Sequence, residues 1–301
     1  MTRSGGFYIR SRNAFMYVAG LGFLSLAKAK NVLRGYSSPK PFDLTETEKC
    51  VAYDMRVVDE WLAHLAAYSS GAYSLRGRNV LELGPGSDLG VGAYLLAKGA
   101  ATYNACDVND LARHAPLGFY TTLIERICAA VPGTDASMLQ MQIEAARAGT
   151  PSRLKLVVRD DFDLLAAFAP NSMDVVFSQA AFEHFDDVDA TVARLSAVCR
   201  PGAMIVAEID LKTHTRWIRD KDPNNIYRYS DRVYRSFWFR GAPNRMRPYQ
   251  YQEIFEKHGW VDLSIKPLDQ VSSDASAFDP RYRHARNQLD YLSVVLCATK
   301  R

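Results

Sequence analysis

The sequence predicts an α/β fold: a doubly wound, mostly parallel sheet of seven strands with a helical N-terminal extension and an insertion covering one end. Three observations predict it. Short apolar segments of strand length alternate with helical patterns from residue 79 to 209. A glycine-rich turn, Gly84-Pro85-Gly86, closes the first of those segments, and polar residues (Asp107, Asp160, Ser178) stand at or just past the ends of the next three. Alternation of this kind implies parallel strands, because each return to the sheet needs a crossover helix.

The first element of the body is an amphipathic helix over residues 43–68, with Val51, Met55, Val58, Leu62 and Leu65 on one face and Thr45-x-x-Glu48 resembling a capping box. After breaks at Gly71 and Gly77 come a strand over 79–83, a helix over 89–98 stopped by Gly99, and a strand over 101–107. Residues 108–150 are helical in pattern (117–127, then 138–146), a longer excursion than a crossover needs and an expected part of a lid. The alternation resumes with strand 154–158, a short helix from Phe162, strand 173–177, helix 188–198, the Pro201-Gly202 turn and strand 203–209. An irregular Arg-rich and aromatic insertion fills 212–247, followed by helix 248–258 and final strands over 261–266 and 291–299. One domain is expected over 43–301, with residues 1–42 as a basic, apolar extension.

Apolar residues at 48% and charged residues at 23% are ordinary for a packed globular chain. Five cysteines, an odd number without metal-ligand spacing, argue against a disulfide framework or a zinc site. The net charge of +4 is uneven: residues 1–40 hold seven Lys/Arg and no acid, leaving 30 basic and 33 acidic residues in the rest. The body therefore lacks the positive excess of a phosphate-backbone binder, and no nucleic-acid partner is expected.

In a doubly wound sheet, ligands collect at the carboxyl ends of the strands. Gly84 and Gly86 let the backbone turn sharply and let a ligand approach the main chain. Glu82 adds a carboxylate there, and Asp107, 25 residues past Glu82, is placed to accept both hydroxyl protons of a ribose. Any nucleoside would suit. A nicotinamide dehydrogenase is disfavoured because its third fingerprint glycine would fall at Leu89.

Val80-Leu81-Glu82-Leu83-Gly84-Pro85-Gly86 resembles motif I of the class I S-adenosylmethionine-dependent methyltransferases. The resemblance runs from about residue 78 to 300 and implies a Rossmann-like fold with S-adenosyl-L-methionine as cofactor. It implies that Glu82, Gly84, Pro85 and Gly86 form the donor loop and that Asp107, with Val108, holds the ribose. It further places Asp160, Asp161 and Phe162 at the adenine, and Ser178 and Gln179 at the methionine moiety. Asp88 departs from the pattern, standing where many members have a third glycine, and Ser87 or Asp88 is expected to cap the next helix. No D/N-P-P-Y/F follows the fourth strand, so the pattern that holds amino groups of DNA bases or glutamine is absent.

Methyl transfer to a hydroxyl needs alignment and a base. His184 and His214 lie after strand ends and are the catalytic candidates. Glu183-His184 is similar to the end of a Glu-x-x-Glu-His magnesium signature, but Ala180 replaces its first carboxylate, so no metal is expected. Residues 212–251 interleave nine aromatics with eight arginines. Flat rings suit sugar faces and Arg forks suit phosphate or carboxylate. Tyr229, Arg245 and Arg247 are the expected acceptor contacts, and the acceptor is a glycan, nucleotide sugar or other small molecule. The order of Asp210…His214, Tyr229-Ser230-Asp231 and Asn244-Arg245-Met246-Arg247 is similar to methyltransferases of polysaccharide and glycan modification. Alternatives are a quinone, polyketide or lipid-like acceptor, an NAD(P)-dependent oxidoreductase, and a non-catalytic adenosylmethionine-binding accessory protein.

The apolar run from Ala14 to Ala27 is too short to span a bilayer, which takes about 20 residues. It imitates a secretory signal, but a donor made in the cytosol argues for a cytoplasmic enzyme. Its two readings are a helix packed over the domain and a peripheral membrane contact through residues 1–40.

Overall fold

The computed structural model describes residues 3–35, 43–272 and 274–301. Lys40 and the expected boundary at residue 42 lie outside the described residues. A long helix, α1 (Arg3–Arg34), precedes α2 (Thr47–Tyr68). The sheet-building part then runs β1 (Asn79–Leu83), α3 (Gly90–Ala97), β2 (Thr102–Asp107), α4 (Leu117–Ala130), α5 (Ala136–Arg147), β3 (Leu154–Val158), α6 (Leu164–Ala167), β4 (Met173–Gln179), α7 (Val188–Val198) and β5 (Cys199–Asp210). The insertion holds α8 (Arg216–Lys221) and α9 (Asp231–Ser236), and α10 (Pro248–Lys257), β6 (Trp260–Gln270) and β7 (Tyr291–Lys300) complete the chain.

The seven strands lie in the order β3-β2-β1-β4-β5-β7-β6, the first five parallel and β7 antiparallel to both its neighbours. This is the expected Rossmann-like sheet. Alternation along each strand divides two cores. Val80, Tyr103, Val175 and Phe177 face α2, α3, α4 and α5. Leu81, Leu83, Val176 and Ile205 face α6, α7 and α10. With both faces covered, β1 and β4 at the centre of the sheet are buried along almost their whole length, as a parallel sheet requires. Trp61 of α2 stacks on Phe177 at 4.9 Å and brings α2 against the centre of the sheet.

Three local expectations change. The capping box at Thr45 does not form. Instead the Thr45 amide and hydroxyl both donate to Asp43 Oδ1, at 2.9 and 2.8 Å, and the helix starts two residues later. Asp88 Oδ1 accepts the Gly90 amide at 2.8 Å, so its side chain turns the chain into α3 without being the N-cap itself. Helices α4 and α5 are not a lid: Phe119, Leu123, Ile127, Leu139 and Ile143 are buried in the first core, so this excursion covers the sheet.

Candidate active site

Strand order reverses between β1, whose far neighbours are β2 and β3, and β4, whose far neighbours are β5 to β7. The loops leaving β1 and β4 must diverge there and open a crevice. Gly84 has φ +75° and a Cβ on it would lie 2.9 Å from the Ala181 Cβ. Glycine is required on both counts, backbone conformation and space. Gly86 has φ +76°, and its amide donates to Asp107 Oδ2 at 3.2 Å. Asp107 Oδ1 accepts the Asn109 amide at 2.9 Å. Burial pushes the Asp107 carboxyl up despite these amides. Glu82 is buried beneath the loop and accepts the Tyr103 hydroxyl from β2, supporting the turn from below.

The remaining donor expectations sort by what their side chains already hold. Arg159 grips Asp161 with a fork of 2.8 and 2.7 Å, which lowers that carboxyl to about 2. Asp160 is exposed and its carbonyl accepts the Arg240 guanidinium from the insertion. Phe162, at φ +48°, packs its ring 4.8 Å from Phe185, with Val108 against the same core. The Ser178 hydroxyl donates to the Leu83 carbonyl at 3.2 Å and ties β4 to β1. Gln179 Oε1 accepts the Trp61 indole at 3.0 Å. The glycine turn, Asp107 and the crevice fit a nucleoside-bearing methyl donor. When bound, S-adenosylmethionine supplies an electrophilic methyl on sulfur.

Past β4, a turn over Phe182–His184 carries Glu183 and His184. β5 ends on Asp210, and His214 follows it. Because β4 and β5 are neighbours, the two imidazoles meet with ring centroids 4.7 Å apart. His184 Nδ1 lies 2.6 Å from the Gly241 carbonyl. A carbonyl only accepts, so the neutral ring carries its proton on Nδ1 and leaves a lone pair on Nε2. His214 Nε2 is 3.7 Å from Asp210 Oδ2 and 4.0 Å from Glu183 Oε1. Arg219 holds Asp210 Oδ2 at 2.6 Å. Both Glu183 oxygens and His214 Nδ1 are buried with no hydrogen-bond partner among the described residues. Burial, then the nearby Asp210, pushes Glu183 well above the usual carboxylate range. Burial lowers His184, and burial with the neighbouring His184, Arg219 and Lys212 lowers His214 well below its usual value. Burial thus disfavours the charged form of Glu183, His184 and His214 alike, and a neutral imidazole keeps a nitrogen lone pair that can accept a proton. Glu183, His184 and His214 also offer donor atoms within 4.8 Å of one another and, among the described residues, are a group that could take a metal ion.

The three expected acceptor contacts are drawn into the fold itself. Tyr229, Arg245 and Arg247 are all buried and occupied in holding the insertion together. Tyr229 donates to the Tyr17 carbonyl of α1 at 2.9 Å. Arg245 donates to the Ile226 and Tyr229 carbonyls at 3.0 and 2.7 Å and lies 4.1 Å from the Tyr234 ring. Arg247 binds the Asn287 and Tyr291 carbonyls at 2.7 and 2.9 Å and the Tyr227 hydroxyl at 3.0 Å. Buried carbonyls need donors, and a five-donor guanidinium satisfies several at once. Sequence reasoning missed Asn244 and Gly241. The first clamps the Phe182–His184 turn by donating from its amide to the Glu183 carbonyl at 2.7 Å and from Nδ2 to the Phe182 carbonyl at 2.8 Å. The second sets the His184 tautomer. No sequence signal at either position marks a partner 57 to 62 residues away.

Residues 115–207 match a family described as a methyltransferase domain. No curated protein matches the chain. Among solved structures, phosphoethanolamine N-methyltransferase 2 of Haemonchus contortus, in complex with S-adenosyl-L-methionine, is 15% identical at a TM-score of 0.45, covering 80% of this chain and 52% of that one. The present chain thus spans about half the length of that protein. The CurJ carbon methyltransferase is 16% identical at a TM-score of 0.47, covering 99% and 70%. An S-adenosylmethionine-dependent methyltransferase from Mesorhizobium loti is 13% identical at a TM-score of 0.41, covering 78% and 96%. At these values none bears on which acceptor this chain serves. The methyltransferase-domain match over residues 115–207 falls on a sheet whose strand order opens a crevice beside the glycine turn and Asp107.

Proposed function

We propose that this domain transfers the donor's methyl group to a hydroxyl oxygen of a glycan, nucleotide sugar or other small molecule in the cytoplasm, with His184 as the base. The new carbon–oxygen bond forms as the carbon–sulfur bond breaks, sulfur keeps the electron pair, and the hydroxyl proton passes to His184 Nε2. The observation that carries this reading is the His184 tautomer: Nδ1 is committed to the Gly241 carbonyl, so the only basic nitrogen is Nε2. His214, beside it and held neutral, adds no positive charge to oppose protonation. We assign Asp107, Gly84 and Gly86 to the donor, and we propose that the cluster acts without a metal, since the neutral imidazoles suffice for proton removal.

With Arg245 and Arg247 occupied, recognition of the acceptor falls to the exposed members of the insertion, Trp217, Arg232, Arg235, Trp238 and Arg240. Exposed rings and guanidinium forks on one segment support a sugar or sugar-phosphate acceptor. Incubating the protein with S-adenosylmethionine and panels of sugars, nucleotide sugars and phenols, with S-adenosylhomocysteine as readout, tests the proposal. Turnover with hydroxylated sugars is the expected result. Turnover confined to amines, or its absence with donor binding intact, would overturn it.

A further inference from the structure

Helix α1 has two apolar faces, and among the described residues only one of them is packed against the protein. The inner face packs Met16, Tyr17, Leu21 and Leu24 against the insertion, where Ile226, Tyr227, Tyr229 and Tyr234 form a third core. Its orientation is fixed at Gly20, where a Cβ would lie 2.0 Å from Asn225 Oδ1 and 2.1 Å from the Tyr229 hydroxyl. That close approach lets Asn225 and Tyr229 donate to the carbonyls of Met16 and Tyr17, both at 2.9 Å. Lys28 Nζ adds a bond to the Ser236 carbonyl at 2.9 Å.

The opposite face carries Phe15, Val18, Leu26, Val32 and Leu33 at spacings that keep them on one side of a helix, each between 58% and 82% exposed. Ala14, Gly22, Ser25 and Ala29 fill the gaps, so the stripe holds no charge for about five turns. Arg12 and Lys30 border it on one side and Lys28 on the other, and the helix contains no acidic residue. The insertion extends the surface: Trp217 of α8, 45% exposed, stacks on Phe23 of α1 at 5.4 Å. No helix among the described residues is long and apolar enough to cross a membrane.

We propose that this outer face docks the protein on an anionic lipid bilayer, α1 lying in the plane of the interface with the acceptor-covering insertion beside it. Exposed apolar surface on this scale calls for an occupant. A second copy of the same face would set the Arg and Lys borders of one helix against those of the other. A surface of lipid phosphates instead neutralises both borders while acyl chains receive the stripe, and Trp217 is suited to the headgroup level.

Flotation of the full chain with vesicles of phosphatidylcholine alone, and of phosphatidylcholine with phosphatidylglycerol, tests this. Binding should require the anionic lipid and weaken with salt. Arg12→Gln with Lys30→Gln should weaken it by about fivefold per residue. The triple variant Val18→Ser, Leu26→Ser, Leu33→Ser should abolish it while leaving thermal stability and S-adenosylhomocysteine binding unchanged. Those two readouts separate failure of the docking surface from failure of the fold or the donor site. Equal binding by the wild type and the triple variant, no binding to either vesicle, or a dimer in solution that the triple variant makes monomeric would each overturn the proposal.

Discussion

Replacing Asp107 with Ala isolates the donor half of the proposal. In the structure this carboxylate receives the buried Gly86 amide and the Asn109 amide, so it shapes the glycine turn before any ligand arrives. Its loss leaves Gly86 N–H unpaired, a cost of about 1–3 kcal/mol that falls on stability. It also removes the acceptor of two ribose hydroxyls, each charge-assisted bond contributing about 1.5–3 kcal/mol. Even the lower bound for the pair, about 3 kcal/mol, raises the dissociation constant roughly 100-fold or more. Calorimetric titration with S-adenosylhomocysteine measures this directly, with circular dichroism to show that the variant is folded. The pH dependence adds a second signature. Because burial raises the Asp107 pKa above 3.8, the folded chain holds this proton more tightly than the unfolded one, and its stability declines as pH rises through the window from 3.8 to the folded pKa. Donor affinity moves the other way, increasing with pH as the ribose acceptor ionises. A folded Asp107→Ala protein that binds the donor as tightly as the wild type would refute the placement.

His184→Ala and His214→Ala should spare donor binding and lower turnover, for His184 by about 10²–10⁴-fold as expected for loss of a general base; weakened donor binding in either would mean the pair belongs to the donor site. Both imidazoles are held below 6.5, so the acid limb of the turnover profile should fall below pH 6.5, and a limb at higher pH would contradict the base assignment. The same depressed values make the folded state less stable as pH falls through 6.5, because the unfolded chain then binds protons that the buried rings resist. Gly20→Ala forces Asn225 and Tyr229 away from α1 and breaks two bonds of about 1 kcal/mol each, so proteolysis should release α1 far faster; unchanged protection would mean that α1 is held elsewhere. Turnover should persist in chelator, and a loss restored by one divalent ion would convert Glu183, His184 and His214 into metal ligands.

What could be read from sequence divides by the range of the interaction. Gly84, Gly86 and Asp107 were legible because their chemistry is local to strand ends, where backbone conformation and a nearby carboxylate suffice. His184 and His214 are 30 residues apart, yet their meeting followed from topology, since each trails one of two strands that become neighbours. Tyr229, Arg245 and Arg247 show the opposite limit. An arginine among aromatics is equally suited to grip a ligand or to knit buried carbonyls, and only burial decides. For Arg247 that burial is imposed by Asn287 and Tyr291, 40 and 44 residues on. The capping box at Thr45 failed more locally, because Asp43 competes for the same hydroxyl and amide from two residues away. The same division explains α1. Its apolar content was plain, but a run that is apolar on two faces has no periodic signature to say which face turns inward. Gly20 decides that, through contacts to residues more than 200 positions distant, and in doing so leaves Phe15, Val18, Leu26 and Leu33 on the outside.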